Sequence, residues 1–271
     1  MSNRIFEECV HYSLKENRRN RSTIWLRQNV LRKFEMPYVE FFITTKCNLE
    51  CDKCSNLIPL LEKQNNLTAD EFKANLDLFL SKIDRLYRLK IHGGEVFLHP
   101  ELAKIIEYAD KQKKVLSIRI TTNGTIIPNE KTLKTLSDSK VVVQISNYDV
   151  SKSKAKQLMD VFQKNKVKYV YLENQKWKDM GDFALREKNR FEECTIKRCT
   201  ALLDGKIYIC SRAGMMAKQN IVKDNGISIF LKTKDFRKEV QEMYNNNALE
   251  CNYCDGDTCF AKEIKAGEQR K

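Results

Sequence analysis

The sequence predicts an α/β fold organised around a parallel sheet, and three observations carry that prediction. Strand and helix patterns alternate from residue 38 to about residue 172. Helix-entry signals stand between the strands, which is the order that parallel crossovers require. The chemically unusual residues fall in the segments that leave the strands, the edge on which parallel barrels build their sites.

Taken in order, Tyr38–Thr44 is rich in β-branched and aromatic residues and reads as the first strand. Thr68-Ala-Asp-Glu71 is a capping box, and the helix after it sets Phe72, Leu76, Phe79, Ile83 and Leu86 on one stripe. Leu89–His92 is the next strand, and Glu101–Lys113 the next helix, entered through Pro100. Leu116–Ile120, a helix near Glu130–Ser137, Val141–Ser146, a helix over Ser151–Lys164 and Val167–Leu172 continue the series. Residues 1–35 read as a basic helical arm, 36–185 as the core and 186–271 as a cysteine-rich extension. The extension carries a hairpin signal at Asp204-Gly205 and a last helix near Asp235–Asn245. It is too polar and short for much core of its own, so a metal is expected to staple it. The final Ala-Gly-Glu-Gln-Arg-Lys reads as a frayed end.

The 271 residues, 42% of them hydrophobic, suffice for a globular core without an apolar run of membrane-spanning length. The N-terminal segment lacks a signal-peptide pattern, so a cytoplasmic protein is expected. The formal charge of +13 is spread along the chain on the outer faces of predicted helices. It reads as solvated surface with room for an anionic small molecule; no nucleic-acid module is visible, and nucleic acid is not the expected partner. Nine of the ten cysteines form three groups, Cys47/Cys51/Cys54, Cys194/Cys199/Cys210 and Cys251/Cys254/Cys259, with Cys9 apart in the N-terminal arm. In a reducing compartment such clusters point to metal chemistry rather than disulfides.

Cys47, Cys51 and Cys54 are spaced C-x3-C-x2-C on a loop at a strand end. Three thiols do not close a tetrahedral zinc site, which would need a remote fourth ligand. They do suit three irons of a four-iron cluster, leaving the fourth iron open. The spacing, with Gly93-Gly94-Glu95 after the following strand and Thr122-Asn123-Gly124 after a later one, resembles the radical S-adenosylmethionine (SAM) superfamily.

That resemblance implies a partial (β/α)6 TIM-type barrel in which Cys47, Cys51 and Cys54 hold a [4Fe-4S] cluster. SAM would chelate the open iron, with Gly93, Gly94 and Glu95 at its methionine amino group, Asn123 on the neighbouring turn, and Ser146 and Asn147 where ribose contacts are made. Reductive cleavage would yield a 5′-deoxyadenosyl radical that abstracts hydrogen from unactivated carbon, with a flavodoxin- or ferredoxin-type electron donor. Two positions depart from the pattern: Lys53 stands where an aromatic residue is common, and Val96 where proline often follows GGE.

Cys194-x10-Gly205-x4-Cys210 and Cys251-Asn-Tyr-Cys254 resemble SPASM/Twitch extensions, which implies an auxiliary [4Fe-4S] cluster. Its implied ligands are Cys194, Cys210, Cys251 and Cys254, with Cys199 an alternative to Cys194 and a zinc site as the competing reading. A spare Cys199 or Cys259 facing the cavity would suit a hydrogen-atom donor, as an epimerase requires.

Cys54-Ser-Asn-Leu-Ile-Pro59, Ile145-Ser-Asn-Tyr148, Trp177-Lys-Asp-Met-Gly181 and Leu203–Cys210 are similar to the polysaccharide and aminocyclitol biosynthesis members. The implied reaction is dehydrogenation or epimerisation of a sugar-like, aminocyclitol or nucleotide-linked substrate. Peptide maturation and tRNA modification are the alternatives. Tyr148, Glu173, Trp177 and Arg212 are the candidate substrate contacts, each with a bland reading as rim packing or solvated surface. His92 and His99 bracket the GGE loop and read as packed or capping residues, and Met215-Met216 as hydrophobic fill.

Overall fold

The computed structural model describes residues 26–173, 176–231, 235–245 and 248–270. Cys9 and the basic run from Asn17 lie outside them. Side chains alternate along a strand, and here the alternation separates two environments. In β1 (Glu35–Thr44), Val39, Phe41 and Ile43 join the hydrophobic core, whereas Glu40 faces an internal cavity. β2 (Arg85–Gly93), β3 (Val115–Thr122) and β4 (Val141–Asn147) follow the same rule, whereas β5 (Tyr169–Glu173) lies at the sheet edge and is largely exposed. Leu89, Ile91, Ile118, Ile120, Val143 and Ile145 point to the core, and Lys90, His92, Thr121, Gln144 and Ser146 point to the cavity.

These five strands pair in parallel and in sequence order, β5-β4-β3-β2-β1. Helices α1 (Ala69–Ser81), α2 (Leu102–Asp110), α3 (Glu130–Ser137) and α4 (Ala155–Lys164) fill the crossovers and bury Phe72, Ile105, Leu136 and Phe162 against the apolar face. The capping box forms: the Thr68 hydroxyl accepts the Glu71 N–H at 3.2 Å, and the Glu71 carboxylate accepts the Thr68 N–H at 2.8 Å. The stripe expected to run on to Ile83 and Leu86 stops earlier, because α1 ends at Ser81 and Leu86 belongs to β2. Asp84 is the cause: its N–H donates to Phe34 O at 2.7 Å and its carboxylate accepts the Phe34 N–H at 2.8 Å, which pulls the chain into register beside β1.

β6 (Lys176–Lys178) lies outside this sheet and pairs antiparallel with β10 (Glu263–Lys265). β7 (Ala201–Leu203) pairs parallel with β1 on the edge opposite β2, so a sixth parallel strand arrives from the cysteine-rich region rather than after β5. β8 (Lys206–Tyr208) folds back on β7 through Asp204 and Gly205, with φ of 49° and 72°. Two successive left-handed residues are what a tight hairpin turn requires. β9 (Ile227–Ser228) completes the eight-stranded sheet, followed by α6 (Phe236–Asn245) after α5 (Ser211–Lys218). Leu202, Ile207, Ile229, Phe236 and Val240 join the main core. The extension therefore packs on the core of the sheet, which supplies the apolar burial that its own sequence is too polar and short to provide. Among the described residues, no helix is long and apolar enough to cross a membrane.

Candidate active site

The chain leaving β1 carries Cys47, Cys51 and Cys54, and all three line one cavity of about 580 Å³ together with Gly93 and Gly94. The glycines are required by close approach. A Cβ on Gly93 would lie 2.0 Å from Thr44 O, and one on Gly94 2.2 Å from Lys46 O. Backbone hydrogen bonds from Gly94 N to Thr44 O (3.0 Å) and Glu95 N to Lys46 O (2.8 Å) sew the two loops together. Burial pushes the Cys47 thiol up to about 12 and raises Cys51 and Cys54 as well. Three thiols lining one cavity, Cys51 buried and Cys47 and Cys54 half-buried, suit a cationic iron–sulfur cluster, whose own charge holds such ligands as thiolates.

Glu95 is fully buried and its carboxylate is fully engaged. It accepts from Asn123 N at 2.7 Å, Thr122 Oγ1 at 2.8 Å and Phe97 N at 3.0 Å. Burial nonetheless raises its pKa to about 7. Asn123 in turn donates to Cys47 Sγ at 3.9 Å and to Asn48 Oδ1 at 3.1 Å. The acid thus ties the GGE loop to the Thr122-Asn123 turn, and that turn to the first cysteine.

A larger cavity of about 1330 Å³ lies over the polar face of the sheet. Its floor is Glu40, Lys90, His92, Thr121, Gln144 and Ser146. Lys90 Nζ pairs with Glu40 at 2.8 Å; burial alone would raise the acid, but Lys90 overrides it and holds Glu40 near 2. Burial, with Lys90 nearby, lowers His92 to about 3, so its ring is neutral and its Nε2 accepts from Asn56 Nδ2 at 2.8 Å. His99 is structural, with its ring against Leu67 O at 2.7 Å and the Glu101 N–H at 3.1 Å. Tyr148 and Trp177 meet edge to face at 4.9 Å and line both this cavity and the thiol cavity.

A third cavity, of about 480 Å³, is lined by Cys194, Cys210, Cys251 and Cys254 together. Burial pushes Cys210 up to about 12 and raises Cys194 and Cys251. Cys199 is buried beside Tyr38 and Tyr87, in a cluster against which Cys210 packs, and lines the large cavity rather than the four-thiol one; Cys259 is exposed and lines none of the three. Arg212 is 4% exposed and lines both the large cavity and the four-thiol cavity. Two backbone carbonyls hold it, Gly181 O at 3.1 Å and Met180 O at 3.4 Å; its Nε has no hydrogen-bond partner, and the Phe183 ring lies 4.9 Å away.

Not every expected residue joins the site. Glu173 is exposed at the end of β5 and lines none of these cavities. Ser146 reaches the large cavity, but Asn147 turns to Tyr171 Oη (3.0 Å) and Ser153 Oγ (2.8 Å) and closes its own loop. Lys53, where the pattern often has an aromatic residue, adopts φ 54°, lines the large cavity and pairs with Asp179 at 3.3 Å. Met215 and Met216 are core residues, as expected. Glu40, Lys90 and Asn56 were missed, although a charged residue at alternate positions of an otherwise apolar strand was a signal for the first two.

The fold and the paired loops bring Cys47, Cys51 and Cys54 together with Gly93 and Gly94 around one cavity at the end of a parallel sheet. Residues 41–152 match the sequence model of the radical SAM superfamily, and this segment is a radical SAM domain. The chain is 32% identical over 133 residues to the antilisterial bacteriocin subtilosin biosynthesis protein AlbA of Bacillus subtilis, covering 48% of this chain and 28% of that protein. It is 25% identical over 222 residues to a probable GTP 3′,8-cyclase of Methanococcus maripaludis, covering 77% and 68%. The chain spans well under half the length of AlbA and of several other curated relatives. The crystal structure of BtrN in complex with AdoMet and 2-DOIA shares the fold, with a TM-score of 0.52 at 18% identity over 82% of this chain and 93% of that one.

Proposed function

We propose that this radical SAM enzyme oxidises or epimerises a sugar-like, aminocyclitol or nucleotide-linked small molecule, acting in the cavity between two clusters. The observation that carries the reading is the placement of the 1330 Å³ cavity. It shares Tyr148 and Trp177 with the Cys47/Cys51/Cys54 cavity, and Met180, Ile196 and Arg212 with the Cys194/Cys210/Cys251/Cys254 cavity. A substrate there lies within reach of both.

When bound, the first cluster and SAM supply a hydrogen-abstracting 5′-deoxyadenosyl radical. The chain's own residues then have separable tasks. Cys47, Cys51 and Cys54 serve as ligands, and the Gly93–Gly94 backbone leaves room for SAM. Glu95, Asn123, Ser146 and Asn147 shape that pocket, Glu95 and Asn147 by holding loops. Cys194, Cys210, Cys251 and Cys254 are the ligand set for the auxiliary cluster. Tyr148, Trp177 and Arg212 wall the substrate space, whereas Glu173 has no part in it. The cavity carries Lys53, Lys90, Lys176, Lys178 and Arg212 against Glu40, Asp257 and Glu263, a balance that favours an anionic substrate group.

The test is anaerobic turnover with SAM, dithionite and carbon-deuterated candidates, read as deuterium in 5′-deoxyadenosine. Transfer from a phosphorylated or nucleotide-linked sugar is expected, with a ketone or an inverted carbinol as product. Peptide maturation is the second reading, favoured by the likeness to AlbA. Transfer from a peptide and none from any sugar or cyclitol would replace the first reading with it.

A further inference from the structure

Residues 263–270 run from the roof of the large cavity to the first cysteine loop. β10 pairs with β6, whose Lys176, Trp177 and Lys178 line that cavity. Beyond it, Ala266 and Gly267 are buried, and Gly267, with φ 67°, packs against Tyr148; a Cβ there would lie 2.4 Å from Tyr148 Cβ. The chain then pairs with the cysteine loop itself. Asp52 N donates to Glu268 O at 2.6 Å, Arg270 N to Glu50 O at 2.8 Å, and Gln269 forms an antiparallel bridge with Cys51. Arg270 Nη1 adds a bond to Pro59 O at 3.1 Å. The frayed end expected from composition is instead a strap.

Gln269 sits at its functional point. Its Oε1 accepts the Glu50 N–H at 2.8 Å, and its Nε2 donates to Gly267 O at 2.6 Å and to Cys51 Sγ at 3.3 Å. The two backbone partners leave no freedom to exchange amide oxygen and nitrogen: an N–H must meet oxygen, and a carbonyl must meet N–H. The donor facing Cys51 is therefore set by the strap. Cys51 is 7% exposed beneath it.

We infer that Gln269 is a positioning residue for the SAM-binding cluster: the strap covers Cys51, and the Gln269 N–H···S bond eases one-electron reduction at this site. The inference rests on Cys47, Cys51 and Cys54 being the cluster ligands. Reduction adds negative charge to the ligand sulfurs, so a fixed donor stabilises the reduced state more than the oxidised one, and hydrogen bonds to sulfur are an established control on such potentials.

The experiment compares wild type with Gln269→Ala, Gly267→Ala and Lys265→Ala, all as full chains. Gln269→Ala removes the donor; Gly267→Ala displaces the strap through Tyr148 while keeping the glutamine; Lys265 is exposed on β10 and serves as control. After anaerobic reconstitution, the paramagnetic signal that changes on adding SAM is followed through a redox titration. We expect reduction to become about tenfold less favourable in Gln269→Ala, or about 59 mV for one electron. Gly267→Ala should shift the same way and Lys265→Ala should not. In the iron-free chains, the alkylation rate of Cys51, mapped by mass spectrometry, should rise at least about fivefold in the first two variants as the cover is lost. A SAM-responsive signal whose midpoint is the same in Gln269→Ala and wild type overturns the inference. So does unchanged Cys51 alkylation in both strap variants. Absence of any SAM-responsive signal in wild type instead overturns the ligand assignment on which the inference stands.

Discussion

The buried carboxylate of Glu95 receives the backbone N–H of Asn123 at 2.7 Å, joining two loops that are 28 residues apart in the chain. Burial raises this acid to about 7 despite its three donors, above its usual 4.5. A carboxyl raised on folding stabilises most below the unfolded value and least above the folded one. Its contribution should thus be present below about pH 4.5 and lost by about pH 7, a change of roughly 3 kcal/mol at most. Denaturant unfolding of the iron-free chain across this window should show stability falling with pH, and Glu95→Gln should flatten that slope. An identical slope in the variant would remove Glu95 as its source.

The grouping of thiols sets an iron count. Reconstituted wild type should hold about eight irons, and Cys51→Ala or Cys254→Ala about four each. Cys199→Ala should keep about eight, since Cys199 lines the large cavity rather than the four-thiol one. Iron and sulfide assays decide this. Loss of four irons in Cys199→Ala would return that residue to the ligand set.

Glu40 and Lys90 pair at 2.8 Å on the cavity floor with the acid side chain 7% exposed. Removing one partner strands a buried charge, so Lys90→Met should cost about 3–5 kcal/mol, and Glu40→Gln a comparable amount. The double variant should cost clearly less than the sum of the two. Additive costs would mean that the two groups do not depend on one another. The Glu40 contribution is lost only as pH falls from about 4.5 through about 2, because its folded value is depressed.

Much of the framework was legible in the chain. Period-two and helical spacing found the five parallel strands and four crossover helices, and Glu130–Ser137 was read to the residue. Boundaries slipped where a tertiary contact cut a pattern short, as Asp84 and Phe34 did at Ile83 and Leu86. The paired glycines were read as a turn with a ligand role. Their close approach to Thr44 and Lys46 shows that they are also the only residues that fit against the cysteine loop.

By itself, the sequence determined the radical SAM domain, the three-thiol loop and the presence of a second cysteine set, because those signals are local spacings on strand-end loops. Only the tertiary structure decided which distant groups meet. It gathered Cys194, Cys210, Cys251 and Cys254 around one cavity and left Cys199 and Cys259 out. It turned Glu95 inward as a clamp, and it laid Gln269 over Cys51 across 218 residues of chain. The physical reason is the same in each case: spacing records how far apart residues are along the backbone, while side-chain direction is set by packing and by the backbone hydrogen bonds that must be satisfied when a loop is buried.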